Sequence, residues 1–173
     1  MSNQTIEIDF SDLPRIINDI YYPTLMNKSR YLVLYGGAGS GKSVFIAQKI
    51  IFRMLTEDKH RFLVVRKVAK TIRNSVFALF KDVISQWGLT HLFTVNKSDF
   101  RITCNINGNE IICAGLDDPE KIKSITGITS IWIEEASEFE QADFNQLDLR
   151  LRGFTNNYKQ IMISFNPICA LHW

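Results

Sequence analysis

Residues 31–51 read YLVLYGGAGSGKSVFIAQKII: an apolar run breaks into four glycines, then Lys42 and Ser43, then a new apolar pattern. Tyr31 to Tyr35 predict a buried strand, and Val44, Phe45, Ile46, Ile50, Ile51 and Leu55 predict a helix from Lys42 to about Thr56. Between them Gly36-Gly37-Ala38-Gly39-Ser40-Gly41-Lys42-Ser43 matches the GxxxxGK[ST] spacing at every fixed position. Each part has a chemical reason. Glycines reach positive φ and let backbone N–H groups close around phosphates without side-chain clash. The helix start adds unpaired N–H groups and a partial positive charge aimed at the same anion. Lys42 is expected to reach the β- and γ-phosphates and the Ser43 hydroxyl to ligate Mg²⁺. The join between strand and helix is expected to hold a nucleoside triphosphate.

Outward from this join the chain alternates strand and helix signals. RFLVVRK, 61–67, is a short apolar run flanked by charge, and TIRNSVFALFKDVISQWG, 71–88, has helical apolar spacing that ends at Gly88. FRITCNI and EIICAG alternate on either side of Asn107-Gly108, a hairpin signal. SIWIEEAS, 130–137, reads as a strand ending in acids, QADFNQLDLRLRG, 141–153, as a helix, and KQIMISFNP, 159–167, as a last strand. Buried strands alternating with helices imply an α/β fold, a mostly parallel sheet with helices on both faces and an antiparallel hairpin beside it. Without repeats or linkers, residues 1–173 are expected to form one domain. The chain stops just after a strand, SFNPICALHW, which reads as a cut end rather than a natural terminus.

A strand 130–133 that delivers Glu134 and Glu135 to the ligand-binding edge of the sheet points to hydrolysis. One carboxylate can hold the magnesium shell and a second can polarise the attacking water. Glu134 is assigned to the metal with Ser43, and Glu135 to the water. Ser164 and Asn166, at the tip of the last strand, are candidates to sense the γ-phosphate; a strand followed by an Asn-Pro turn is the plainer reading. Arg66, Arg150 and Arg152 are candidate charge-stabilising fingers; Lys121 and Lys123 lie in what reads as a polar loop. Tyr21, Tyr22 and Asn27 could flank a base but are more simply packing residues, and His60, His91 and His172 carry no readable role.

Composition bounds the rest. At 173 residues, 46% hydrophobic and 22% charged, the chain has mass for one core, and its +2 formal charge neither demands nor excludes nucleic acid. Cys104, Cys113 and Cys169 form no CxxC pair, which argues against a metal cluster or disulfide framework. The polar, acidic N-terminus carries no signal pattern, and no apolar run approaches the roughly 20 residues of a membrane helix.

With these motifs in order, VLYGGAGSGKS, FLVVRK, KIKSITGITSIWIEEASEF, LRLRG and ISFNP…LHW, the chain resembles the ATPase domain of the large terminase subunit of tailed bacteriophages. The match spans roughly residues 30 to 173. The resemblance implies a P-loop NTPase of the additional-strand, catalytic-Glu type that uses ATP with Mg²⁺. It implies a motor that packages double-stranded DNA into a procapsid, working in the host cytoplasm as a homo-oligomeric ring on the portal protein with a small terminase subunit and no membrane. It also implies a C-terminal nuclease domain, absent from this chain, and a coupling role for Ser164 to Asn166. Lys42 and Glu135 take the catalytic roles. One position departs: many relatives carry an arginine where this chain has Ala38. A finger from a neighbouring subunit, from Arg66, Arg150, Arg152 or the Lys121–Lys123 loop, then becomes attractive. The alternatives are a helicase- or recombination-type motor, and a nucleotide-binding switch without turnover.

Overall fold

The computed structural model describes residues 7–167. The elements, in chain order, are α1 (Leu13–Ile16), β1 (Tyr31–Tyr35), α2 (Lys42–Thr56), β2 (Arg61–Arg66), α3 (Val76–Gln86), β3 (Phe93–Asn96), β4 (Arg101–Cys104), β5 (Glu110–Gly115), α4 (Pro119–Ser124), β6 (Ser130–Glu134), α5 (Gln141–Asp148) and β7 (Gln160–Phe165). The strands form one sheet in the order β1-β7-β6-β2-β5-β4-β3. The first five in that order run parallel, and β4 and β3 are antiparallel. This is the expected α/β sheet with its hairpin.

Alternation along the central strands builds two cores. Phe62, Val64, Trp132 and Met162 face α2 and α3, where they meet Phe45, Ile46, Ile50, Phe77 and Phe80. Leu63, Val65, Ile131, Ile133 and Ile161 face the other way, onto Ile122 of α4, Leu147 of α5 and Leu151. Because successive strand residues point to opposite faces, strands covered on both sides read as unbroken apolar runs. Trp132 is fully buried, stacks edge-on against Phe80 at 5.8 Å and donates its Nε1–H to Ser164 Oγ at 2.9 Å. Truncating such a side chain costs about 3–5 kcal/mol.

The structure departs from expectation at several elements, and β1, expected to be buried, is an edge strand with Tyr31, Val33 and Tyr35 exposed on one face. The predicted helix 71–88 is split: a 3-10 turn runs Ala69–Asn74, Ser75 leaves helical geometry at φ −117°, ψ −109°, and α3 starts at Val76. The Ser75 hydroxyl donates back to Thr71 O at 2.7 Å, offering the backbone a partner that competes with a continuous helix. The predicted helix 141–153 stops at Asp148, because Gly153 must leave it to donate its N–H to Ile128 O at 2.7 Å. A Cβ at Gly153 would collide with the Gly127 carbonyl oxygen, so only glycine permits this approach. The loop carrying Lys121 and Lys123 is instead α4, capped by Asp118, whose side chain accepts from Lys121 N. The strand expected over 130–137 ends at Glu134, since Glu135 is left-handed at φ 56°, ψ 51°. Strand β3, too short and polar to signal itself, pairs with β4. His172, Cys169 and the LHW end of the family-like stretch lie outside the described residues.

Candidate functional site

The parallel strands deliver their C-terminal ends to one edge, and the site assembles there from four of them. The loop after β1 turns through Gly36, Gly39 and Gly41, and Gly41 sits at φ 85° as the N-cap of α2. That left-handed step aims the first N–H groups of α2 into the turn. Ala38 to Val44, Glu134, Glu135, Ser164, Phe165 and Asn166 line a cleft of about 320 Å³. The three strands β1, β7 and β6 are adjacent, and register sets Leu34 and Glu134 on either side of Ser164. The sequence-predicted loop, acids and strand tip therefore meet at one place.

Lys42 is only 7% exposed, so its charge is held by protein acceptors. Its Nζ donates to Gly36 O and Gly37 O at 2.9 Å, and to Ser40 Oγ and Asn166 Oδ1 at 3.0 Å. Asn166 thus reaches the loop lysine directly. Ser164 does not line up with Lys42; its buried hydroxyl accepts from Trp132 and ties β7 to β6. Tyr21 flanks the loop on the other side, stacking on Phe45 at 5.2 Å with its hydroxyl 3.5 Å from Ser40 Oγ.

The acids are organised by an arginine. Ser43 Oγ donates to Glu134 Oε1 at 3.2 Å. Arg66, at the end of β2, places Nε 3.0 Å from Glu134 Oε2 and pairs a terminal nitrogen with Glu135 Oε2. The Nε–Oε2 contact is an ion pair by distance but is too poorly aligned to count as a hydrogen bond, so both atoms lack a hydrogen-bond partner. Burial pushes the Glu134 carboxyl above its ordinary value; the Arg66 charge opposes this, the Glu135 charge adds to it, and the Ser43 hydrogen bond opposes it. Glu135 remains 43% exposed at the mouth of the cleft. Its left-handed backbone is the kind of strain that persists where surrounding structure imposes it.

Arg66 therefore serves its own chain's acids, and at 9% exposure it has no surface to offer a neighbour. Nothing in the sequence pairs it with Glu135. The other two arginines sit elsewhere: Arg150 donates to Lys123 O at 3.2 Å, and both Arg150 and Arg152 line a groove with Thr126 and Gly127. Thr126 and Gly127 precede β6, so this groove lies at the opposite end of the strands from the cleft.

Among the described residues, no three His, Cys, Asp or Glu side chains cluster to hold a metal by themselves. Ser43 and Glu134 supply hard oxygens, the type Mg²⁺ takes alongside phosphate oxygens and water. The Ser43 contact at Glu134 Oε1 brings the two oxygens together where such an ion would sit. The donor set fits Mg²⁺ arriving with a polyphosphate.

The family profile of the phage terminase large subunit matches residues 28–173. The chain is 40% identical over 143 residues to the PBSX phage terminase large subunit of Bacillus subtilis (strain 168), covering 83% of this chain and 32% of that protein. It is 44% identical over 112 residues to the terminase large subunit of Bacillus phage SPP1, covering 62% of this chain and 26% of that protein. The chain thus spans about a third or less of the relatives it matches. In three dimensions it resembles the large terminase of a thermophilic bacteriophage in complex with ATP-gamma-S, with a TM-score of 0.63 at 16% identity over 83% of this chain and 34% of that one.

Proposed function

The chain belongs to the phage terminase large subunit family, and from that premise we propose that residues 1–173 are its ATPase domain, hydrolysing Mg·ATP to drive double-stranded DNA into a procapsid. The observation that carries this reading is the convergence of Lys42, Ser43, Glu134, Glu135 and Asn166 on one cleft. Binding of ATP-gamma-S by the thermophilic-phage relative supports a nucleotide as occupant.

The backbone N–H groups of Gly36 to Ser43 and the start of α2 hold the phosphates, and Lys42 exchanges loop carbonyls for phosphate oxygens. Ser43 and Glu134 hold Mg²⁺, which when bound supplies charge neutralisation at the β- and γ-phosphates. Glu135, exposed at the cleft mouth, accepts the proton of the attacking water. Asn166, bonded to Lys42 in the structure, loses that partner when phosphates compete for the lysine, so β7 feels the occupancy of the loop. Through its family the chain takes a portal protein, a small terminase subunit and copies of itself in a ring as partners, in the host cytoplasm. No described helix is long and apolar enough to cross a membrane.

Ala38 leaves the loop without an arginine of its own, and Arg66 is committed to the acids. A finger from a neighbour, from Arg150 or Arg152, then supplies transition-state charge, which such residues stabilise by about 10³- to 10⁵-fold. Specific ATPase activity of this chain is expected to be low when dilute and to rise with protein concentration, or with portal and duplex DNA. Mixing Glu135→Gln with Arg152→Ala should recover activity, since the arginine variant keeps an intact cleft. High activity independent of concentration, with no response to DNA, contradicts the motor reading.

A further inference from the structure

Resting on the reading of the cleft as a nucleotide site, we propose that Lys49 is a positioning residue for the phosphate loop: it pins residues 18–29 against α2, so that Tyr21 braces Ser40 and Gly41. Lys49 lies in α2, one turn on from Phe45, and is fully buried. Its Nζ donates to Thr24 O at 3.2 Å, to Asn27 O at 2.9 Å and to Leu25 O. Burying an ammonium is costly unless its N–H groups are met, and here three backbone carbonyls meet all three. An apolar side chain would pack this face of α2 without that cost. A lysine here holds main chain in place.

The pinned segment is short and internally tied. Asn18 O accepts from Tyr21 N and Tyr22 N, Tyr21 O accepts from Thr24 N and Thr24 Oγ1, and a 3-10 turn runs Tyr22–Thr24. Further anchors flank the grip of Lys49. Gln48 Nε2 donates to Ile16 O at 3.4 Å, and Gln160 Nε2, at the start of β7, donates to Asn27 O and Ser29 O. The place of these carbonyls therefore sets the place of Tyr21. Its ring stacks on Phe45 at 5.2 Å, its hydroxyl lies 3.5 Å from Ser40 Oγ, and its edge would stand 3.6 Å from a Cβ at Gly41. Ser40 Oγ also accepts from Lys42 Nζ at 3.0 Å, so Ser40 sits between the pinned segment and the loop lysine. Without the grip of Lys49, Tyr21 drifts, the loop samples more conformations, and phosphate binding carries the cost of ordering it.

The test is equilibrium binding of Mg·ATP and of Mg·tripolyphosphate, each competed against a fluorescent ATP analogue, beside single-turnover hydrolysis at saturating Mg·ATP. Lys49→Met and Tyr21→Ala are each expected to weaken both ligands by about tenfold, the size of a coupling between linked sites. The saturated rate should stay within about twofold of wild type, because Lys42 and the acids are untouched; a merely weakened fold would not divide its losses this way. The double variant should bind no more than about twofold worse than the poorer single variant, since both changes break one chain of contacts. Where Lys49→Met fails to melt cooperatively, hydrogen exchange on the wild type decides. Mg·ATP should slow exchange of the backbone amides of residues 21–27 by about tenfold, the reciprocal of the same coupling. Exchange unchanged by Mg·ATP, wild-type affinity in Lys49→Met, or multiplicative losses in the double variant overturns the proposal. So does a loss confined to Mg·ATP, which would put Tyr21 on the base instead of the loop. The two readings fail differently. A wild type that binds neither ligand defeats the reading of the cleft, and this inference with it. Tight binding by the wild type and by both variants defeats the role of Lys49 alone.

Discussion

At the scale of single residues, Glu134 and Glu135 are neighbours in sequence but not in environment. Glu134 is 12% exposed at its side chain and faces Ser43; Glu135 is 43% exposed and turned by a left-handed backbone toward the cleft mouth. Different surroundings allow different tasks for identical side chains. Glu135→Gln is expected to bind Mg·ATP as the wild type does and to lose hydrolysis by about 10²-fold or more, since an amide holds position but accepts no proton. Glu134→Ala is expected to weaken magnesium-dependent nucleotide binding instead. Equilibrium binding at graded magnesium, beside phosphate release, separates them; two variants that behave alike contradict the division. The acids and the loop were legible because both motifs are local in sequence. The partnership of Arg66 with Glu135 was not, because 69 residues separate them and only the sheet order brings them together.

Elements were legible where one signal dominated. The β1–α2 join, the β2 run and the β4–β5 hairpin follow from periodicity and turn chemistry alone. Boundaries failed where a side chain or a distant segment intervened, as Ser75 does before α3 and Ile128 does at Gly153. A buried polar knot at the far end of α2 was equally hidden. Arg53, with a side chain 1% exposed, pairs with Glu57 at 3.0 Å and donates to Ser130 Oγ and Tyr158 O. His60, which showed no role in sequence, lies 2.6 Å from Glu57 and bonds Thr129 at 2.8 Å. This knot fastens α2 to the starts of β2 and β6, at the end of the sheet away from the cleft. Burial pushes the Glu57 carboxyl up, but the His60 hydrogen bond and the Arg53 charge outweigh it and leave the value lowered. The sign follows: the folded state binds this proton less tightly, so the stability is present above the ordinary value of 4.5 and is lost as pH falls through the lowered one. Glu57→Gln leaves Arg53 without its anion and should cost about 3 kcal/mol at neutral pH. That is roughly 6 to 12 °C in melting temperature for a chain of this size. The gap to wild type should shrink as pH falls below the ordinary value of 4.5 and through the lowered one; a gap constant with pH contradicts the ion-pair account.

At the scale of the molecule, the fold explains why the motifs, spread from residue 36 to residue 166, act together. Placing β7 between β1 and β6 sets the strand tip carrying Asn166 between the phosphate loop and the acids. No local pattern specifies that order, since each crossover is set by helix packing on the two faces of the sheet. The same arrangement leaves the Arg150–Arg152 groove at the far end of the strands from the cleft. The central claim is that this one cleft binds and hydrolyses ATP. Its most direct test is Mg·ATP phosphate release by wild type and Lys42→Ala at equal, high protein concentration, with cooperative melting checked on both. Lys42 lies at a helix start outside the apolar cores, so the variant should fold, and its turnover should fall well below a tenth of wild type, a barrier change above about 1.4 kcal/mol. A folded Lys42→Ala that retains more than about a tenth of wild-type turnover would contradict the account.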